Sequence, residues 1–254
     1  MLRHSCRVLM GHWSILQLVN SSIAVRRLGL ADDLSTMRSL ARIAVVLLVS
    51  ALSFAQTDVH KIAEAVDSRY NNMQSLESQF TETYRGAGMV RNESGTLWLK
   101  RPGKMRWDYR DPRPKLFVSD GKTAWFYVPG DQQVRKASVK KLDDLRSPLR
   151  YLLGKTKLEK EFTGLSLAPD AKPLDPGDMV LRGVPKGMED RVSQVLLEIT
   201  PDSQIRAITI DEADGSTTQF SLSEQKQNVQ LSDSRFRFTP PPGVETVEAT
   251  EISQ

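Results

Sequence analysis

The sequence predicts a mainly β domain, one long antiparallel sheet carrying a few helices, and three observations point there. The stretch from Gly95 to Pro129 holds Trp98, Trp107 and Trp125 in four short runs that alternate apolar with charged residues, punctuated by Arg-Pro and Asp-Gly. A second set of alternating runs lies at Ser193–Ile199, Ile205–Asp211 and Thr217–Glu224, separated by Pro201-Asp202 and Asp214-Gly215. Ahead of both, Val59, Ile62, Ala63, Val66, Tyr70 and Met73 recur at helical spacing.

Taken in chain order, the first element is an amphipathic helix between Thr57 and Met73, with Asp58 early and charged residues on its other face. Leu76, Ser78, Phe80, Glu82 and Tyr84 then share one side of a first strand that ends at Arg85-Gly86-Ala87-Gly88. In the next run Leu97, Leu99 and Arg101 share a face opposite Thr96, Trp98 and Lys100, which sets one arginine on an otherwise apolar surface. From Lys104 to Arg110, Met105, Trp107 and Tyr109 point one way and the charged residues the other. Asp120-Gly121 signals a two-residue type I′ hairpin joining Leu116–Ser119 to Thr123–Val128, because that turn needs positive φ. After Pro129-Gly130-Asp131, the run Gln133–Ala137 is expected to pair back.

Leu142, Leu145, Leu149, Leu152 and Leu153 form a helical stripe interrupted by Ser147-Pro148 and closed by Gly154, read as two short helices or one kinked helix. Residues 168–190 are rich in Pro, Gly and Asp and are expected to be irregular, with a brief strand at Met179–Arg182. A last strand is expected through Phe236-Arg-Phe238, running into three prolines.

Ahead of the helix, Met37–Arg42 followed by Ile43–Phe54 reads as the charged and apolar regions of a secretory signal, with Ser53-Phe54-Ala55 at its cleavage site. The apolar run falls well short of the ~20 residues that span a bilayer as a helix. Residues 1–36 fit no signal and are expected to be a mis-assigned upstream start or an unstructured leader. Residues 37–55 would then be the signal peptide and 56–254 a single domain. The sole cysteine, Cys6, lies upstream, so lipidation, disulfides and thiolate metal sites are not expected of the mature form.

The formal net charge of +4 invites a nucleic-acid or anionic-membrane partner. Removing Arg3, Arg7, Arg26, Arg27, Arg38, Arg42, Asp32 and Asp33 with the leader balances acids against bases, which argues against nucleic acid. An enzyme is not expected either, because His60 is the one histidine after the signal and no reactive constellation surrounds it. Adjacent acids at Asp143/Asp144, Glu159/Glu161 and Asp211/Glu212 read as solvated faces, and no cluster has metal-ligand spacing.

The sequence does supply apolar surface. Periodicity permits an ordinary core under helices, and equally a curved sheet whose apolar face receives an apolar ligand.

These residues resemble the LolA-type carriers of outer-membrane lipoproteins. The matching features are a helix followed by Phe80-Thr81, the run Gly95-Thr-Leu-Trp-Leu-Lys-Arg-Pro102, Met105-Arg-Trp107, Val118–Tyr127 and Phe236–Val244, in that order and spacing. Two features depart from the family pattern: Glu82 stands where the family usually has glutamine, and residues 161–190 match no part of it.

The resemblance implies a curved antiparallel incomplete β-barrel, a half-barrel, closed by a helical lid. It implies Arg101 as the lid latch, a lipid-binding cavity lined by Leu97, Leu99, Met105, Trp107, Leu116, Val118, Trp125 and Tyr127, and a lid carrying Leu142, Leu145, Leu149, Leu152 and Leu153. The expected protein is a periplasmic monomer without cofactor or metal. Its cargo would be triacylated lipoproteins, its donor an inner-membrane lipoprotein-releasing ABC complex and its acceptor an outer-membrane receptor. Two other readings stay open, a carrier of a glycolipid or phospholipid on the same fold, and a sensor or structural module that carries nothing.

Overall fold

The computed structural model describes residues 58–139 and 157–249, and its first element is a helix where the sequence places one. Helix α1 spans Val59–Asn72, and the Asp58 side chain accepts the His60 N–H at 3.0 Å, satisfying a donor that the first turn leaves open. Its apolar stripe, Ile62, Ala63, Val66 and Tyr70, is buried against the sheet.

Six strands follow in a meander: β1 Ser75–Gly86, β2 Met89–Lys100, β3 Lys104–Asp111, β4 Lys115–Asp120, β5 Thr123–Tyr127 and β6 Gln133–Ser138. A single helical turn, α2 Leu158–Glu161, leads into a second meander of β7 Phe162–Leu167, β8 Met179–Pro185, β9 Val192–Ile199, β10 Ile205–Glu212 and β11 Thr217–Gln227. Strand β12 is Glu245–Glu248. They form one open 12-stranded sheet in the order β12-β6-β5-β4-β3-β2-β1-β11-β10-β9-β8-β7. The two meanders are stitched together where β1 pairs with β11, from Leu76 opposite Gln227 to Arg85 opposite Thr217.

Several details differ from the sequence reading. The sheet is not wholly antiparallel, because β12 pairs parallel to β6. Phe236-Arg-Phe238 is not a strand: Asp233–Phe236 is a 3₁₀ turn capped by the Ser232 hydroxyl, and the chain then crosses the outer face of the sheet. Strands β7 and β12 were not anticipated, and β8 outruns the brief strand expected at Met179–Arg182. The turn after Asp120 is not type I′, since only Gly121 has positive φ, and the Asp120 carboxylate accepts the N–H of Lys122 and of Thr123 at 2.8 Å instead. Positive φ at both central residues occurs at Ala87 (50°) and Gly88 (74°), in the β1–β2 turn. The helical stripe at Leu142–Leu153 lies outside the described residues.

Both faces of the sheet's centre are covered, which is why β2 is buried continuously from Gly95 to Leu99. On one face α1 lies over a core built from β1–β3 and β7–β11. On the other the segment after β11 brings Leu231 and Phe236 onto Trp98, and Phe238 packs near Trp125 and Tyr127 at ring distances of 6.3 and 5.8 Å. Asp233 anchors this segment to Lys100 (2.6 Å) and Lys104 (2.7 Å), and the two ammonium groups hold its carboxyl down to about 2.

Candidate functional site

The face under α1 is the most continuous apolar surface among the described residues. Cross-strand neighbours in an antiparallel pair share a face, so register decides its membership. Leu97 faces Trp107 and Leu99 faces Met105 across β2 and β3, while Phe80 of β1 stands edge-on to Trp107 at 4.7 Å and to Tyr109 at 4.8 Å. Trp107 also meets Phe220 of β11 at 5.7 Å, so the aromatic cluster crosses the seam between the two meanders. Each such pair adds about 0.5–1.5 kcal/mol beyond the area it buries.

At one end of this face the guanidinium of Arg101 reaches the C-terminal turn of α1. Its Nη1 donates to the Asn71 carbonyl at 2.7 Å, and its Nη2 donates to the Tyr70 carbonyl. These carbonyls lack partners within the helix, and a cation at a helix C-terminus is also favoured by the helix dipole. Burial pulls the Arg101 pKa below the ordinary arginine value. Tyr70 extends the attachment, since its hydroxyl accepts the Ile205 N–H at 2.9 Å and burial pushes its pKa up to about 12. The other side of the helix is tied to α2: the Asp67 carboxylate accepts the Leu158 N–H at 3.1 Å, and His60 Nδ1 lies 2.9 Å from Glu159 Oε1.

Farther along β2 the face turns polar. Glu82 and Glu93 sit opposite each other across β1 and β2. The Tyr109 hydroxyl donates to Glu82 at 2.8 Å, and Lys115 donates to Glu93 at 2.6 Å while lying 4.3 Å from the centre of the Tyr109 ring. Burial raises the Glu82 pKa, against the lowering effects of the Tyr109 bond and of Lys115. Among the described residues, no group of His, Cys, Asp and Glu could hold a metal ion.

The residues expected to line a cavity do not share one surface. Leu97, Leu99, Met105 and Trp107 lie together beneath α1. Leu116, Val118, Trp125 and Tyr127 lie on the opposite face, because Trp107 pairs with Phe117, which turns Leu116 and Val118 away, and those two pair with Tyr127 and Trp125. Phe117 takes their place beside the core. Arg101 stands on the Leu97/Leu99 side, as alternation indicates. Leu142, Leu145, Leu149, Leu152 and Leu153 lie outside the described residues. Sequence reasoning passed over Phe80, Tyr109 and Phe220 as site residues, although the alternation of β1 and β3 already placed Phe80 and Tyr109 on apolar faces.

Beside the C-terminal half of α1 is a surface groove of about 430 Å³, lined by Ser68, Arg69 and Asn72 of the helix, by Met73 just after it, by Asp202 in the β9–β10 turn and by Gln227 and Asn228 at the end of β11.

The family model described as outer membrane lipoprotein carrier protein LolA matches residues 71–239. An outer-membrane lipoprotein carrier protein of Dechloromonas aromatica is 32% identical over 207 residues, covering 79% of this chain and 95% of the relative. Its counterpart in Nitrosospira multiformis is 30% identical over 187 residues, covering 72% and 86%. Among solved structures, a LolA superfamily protein from Nitrosomonas europaea aligns over 70% of this chain and 96% of its own, at 13% identity and a TM-score of 0.40.

Proposed function

The chain belongs to the LolA family of outer membrane lipoprotein carrier proteins, carriers rather than enzymes, and from that premise we propose that it is a periplasmic chaperone that shields the acyl chains of lipoproteins in transit. The observation that carries this reading is the apolar face of Leu97, Leu99, Trp107, Phe80 and Phe220, roofed by one amphipathic helix whose end is fastened by Arg101. In this account residues 37–55 direct export, residues 56–254 are the working domain, and α1 together with the leucines of 142–153 forms a lid over the face. Donor and acceptor would be an inner-membrane releasing complex and an outer-membrane receptor.

A carrier must bind strongly and still let go. A sixteen-carbon chain buries about 15 methylenes at ~0.8 kcal/mol each, roughly 12 kcal/mol against water. An empty carrier that left its own apolar face open would lose a comparable benefit, so roofing that face with α1 lets the helix and the cargo compete for one surface. The Arg101 bonds bias that competition by a few kcal/mol at most. Lipid can displace them, and their re-formation favours lipid exit.

The test is to mix the mature chain with a purified triacylated lipoprotein, remove detergent and ask what stays soluble. The acylated form should remain in the supernatant bound to the chain. If it precipitates as it does alone, or if a deacylated form binds equally well, the carrier reading fails.

A further inference from the structure

We propose that the tip of the β1–β2 hairpin is a membrane-contact site, an apolar point flanked by arginines that seats among the phosphates of a phospholipid bilayer. This goes beyond the carrier reading and does not rest on it.

The first observation is exposure. Met89 and Val90 are 62% and 64% exposed, and the other large hydrophobic side chain exposed among the described residues is Leu174, in a distant loop. Single exposures of that kind are ordinary. Here two are consecutive, and strand alternation sets one on each face of the ribbon, so the tip is apolar from both sides. They do not extend the core, because Glu82, Glu93 and the Tyr109 hydroxyl lie between the tip and the apolar face under α1.

The second observation is projection. Strand β3 pairs with β2 only as far as Ser94, and β11 with β1 only as far as Arg85, whereas β1 and β2 go on pairing to Gly86 opposite Met89. The ribbon therefore runs on past both neighbours and turns at Ala87 and Gly88, which are exposed.

The third observation is charge. Arg85 stands opposite Val90 on one face of the ribbon, and Arg91 stands opposite Tyr84 on the other, so a guanidinium flanks the apolar pair on each side. Both arginines are exposed. The Arg91 guanidinium lies 5.3 Å from the centre of the Tyr84 ring, whose hydroxyl reaches Gly86, and a ring with one polar end suits the headgroup level. From Tyr84 to Asn92 the tip carries no acid. Glu93, just below it, is buried and lies 2.6 Å from Lys115 as well as 3.4 Å from Arg91. Glu212 and Asp214 belong to the β10–β11 turn beside β1, and their repulsion from lipid phosphate confines the contact to the hairpin.

Together these features single out a bilayer. Guanidinium meets phosphate through paired hydrogen bonds, while the side chains between the arginines reach the hydrocarbon boundary. A protein partner fits less well, because a stable interface buries about 800 Å² on each side, more than two side chains at a turn offer. A second copy would set arginines against arginines. Seated on a bilayer by this tip, the chain holds Arg101, just past the opposite end of β2, away from the surface.

Flotation of the mature chain with vesicles of phosphatidylglycerol and phosphatidylethanolamine tests this. The chain should float with the vesicles, and joint Met89→Ser and Val90→Ser substitution should lower partitioning about tenfold. Arg85→Gln should lower it about fivefold and weaken its dependence on salt. These side chains are exposed, so melting temperatures should hold. None lies on the face under α1, so lipoprotein binding should also hold, which keeps failure of the tip distinct from failure of the carrier reading. Because Cys6 precedes the mature chain, one introduced cysteine can carry an environment-sensitive fluorophore. Its emission should shift to the blue on vesicle addition at Ala87→Cys and stay unchanged at Lys122→Cys, in the turn at the opposite end of the sheet. No flotation, or flotation that the serine substitutions leave unchanged, overturns the site. A blue shift at Lys122 instead of Ala87 overturns it too. Self-association that the serine substitutions abolish, without flotation, makes the tip a contact between copies and likewise overturns it.

Discussion

Arg101 donates from Nη1 to the carbonyl of Asn71 at 2.7 Å, thirty residues back along the chain, so the sheet holds the C-terminal end of the very helix that roofs it. The arginine leaves β2 at the end of the Leu97/Leu99 face, where an uncharged side chain could only extend the apolar surface. Its charge meets carbonyls that the helix itself cannot satisfy.

Arg101→Leu should therefore loosen α1 without unravelling the sheet. Charge-assisted bonds of this kind contribute about 2 kcal/mol, and hydrogen exchange should show α1 amides opening more readily while β9 and β10 stay protected. In a transfer assay the variant should still load lipid and release it poorly, since no latch re-forms to compete. Unchanged exchange in α1 with normal delivery would remove Arg101 from the account.

Glu82 provides a pH signature. Its folded pKa lies above the ordinary glutamate value because burial outweighs its bond to Tyr109. The folded chain thus holds this proton more tightly than the unfolded chain does, and stability falls as pH rises from the ordinary glutamate pKa through the raised one, then levels off. Glu82→Gln keeps an acceptor for the Tyr109 hydroxyl and removes the ionisation. It should stabilise the chain at neutral pH and flatten that part of the profile, which urea melts across the acid range would reveal.

Gly95 marks a close approach. A Cβ there would lie 2.0 Å from the Asp108 carbonyl oxygen, at the irregularity where β2 and β3 change register. The neighbour is backbone and cannot swing aside. Gly95→Ala should cost at least about 3 kcal/mol, read as a drop in melting temperature.

Ala87 occupies left-handed backbone in the β1–β2 turn, at φ 50°. Glycine adopts that conformation freely, so Ala87→Gly should gain up to about 1 kcal/mol. The urea midpoint should rise with the denaturant slope unchanged.

Much of this architecture was legible in the sequence, and the failures share a cause. Alternation placed Leu97, Leu99 and Arg101 on one face, and Met105, Trp107 and Tyr109 on one face, because side-chain direction within a strand is a local property. It could not carry a face across the turn after Asp111, where register depends on how many residues the turn consumes. Leu116, Val118, Trp125 and Tyr127 were thus grouped with the wrong surface. Their apolarity gave no warning, since Phe238 and its neighbours cover the outer face too. The parallel pairing of β12 with β6 and the β1–β11 seam join segments more than a hundred residues apart, beyond the reach of any local pattern. The groove was invisible for the same reason: Arg69, Asp202 and Gln227 come from three distant segments and show no motif spacing.

Native mass spectrometry of the mature protein, released gently from the envelope of its own host, tests the central claim most directly. The account predicts a complex with a lipoprotein whose mass includes its acyl chains, dissociating to the bare chain on activation. Recovery of the chain always without lipoprotein, or only with a free glycolipid or phospholipid, would contradict it.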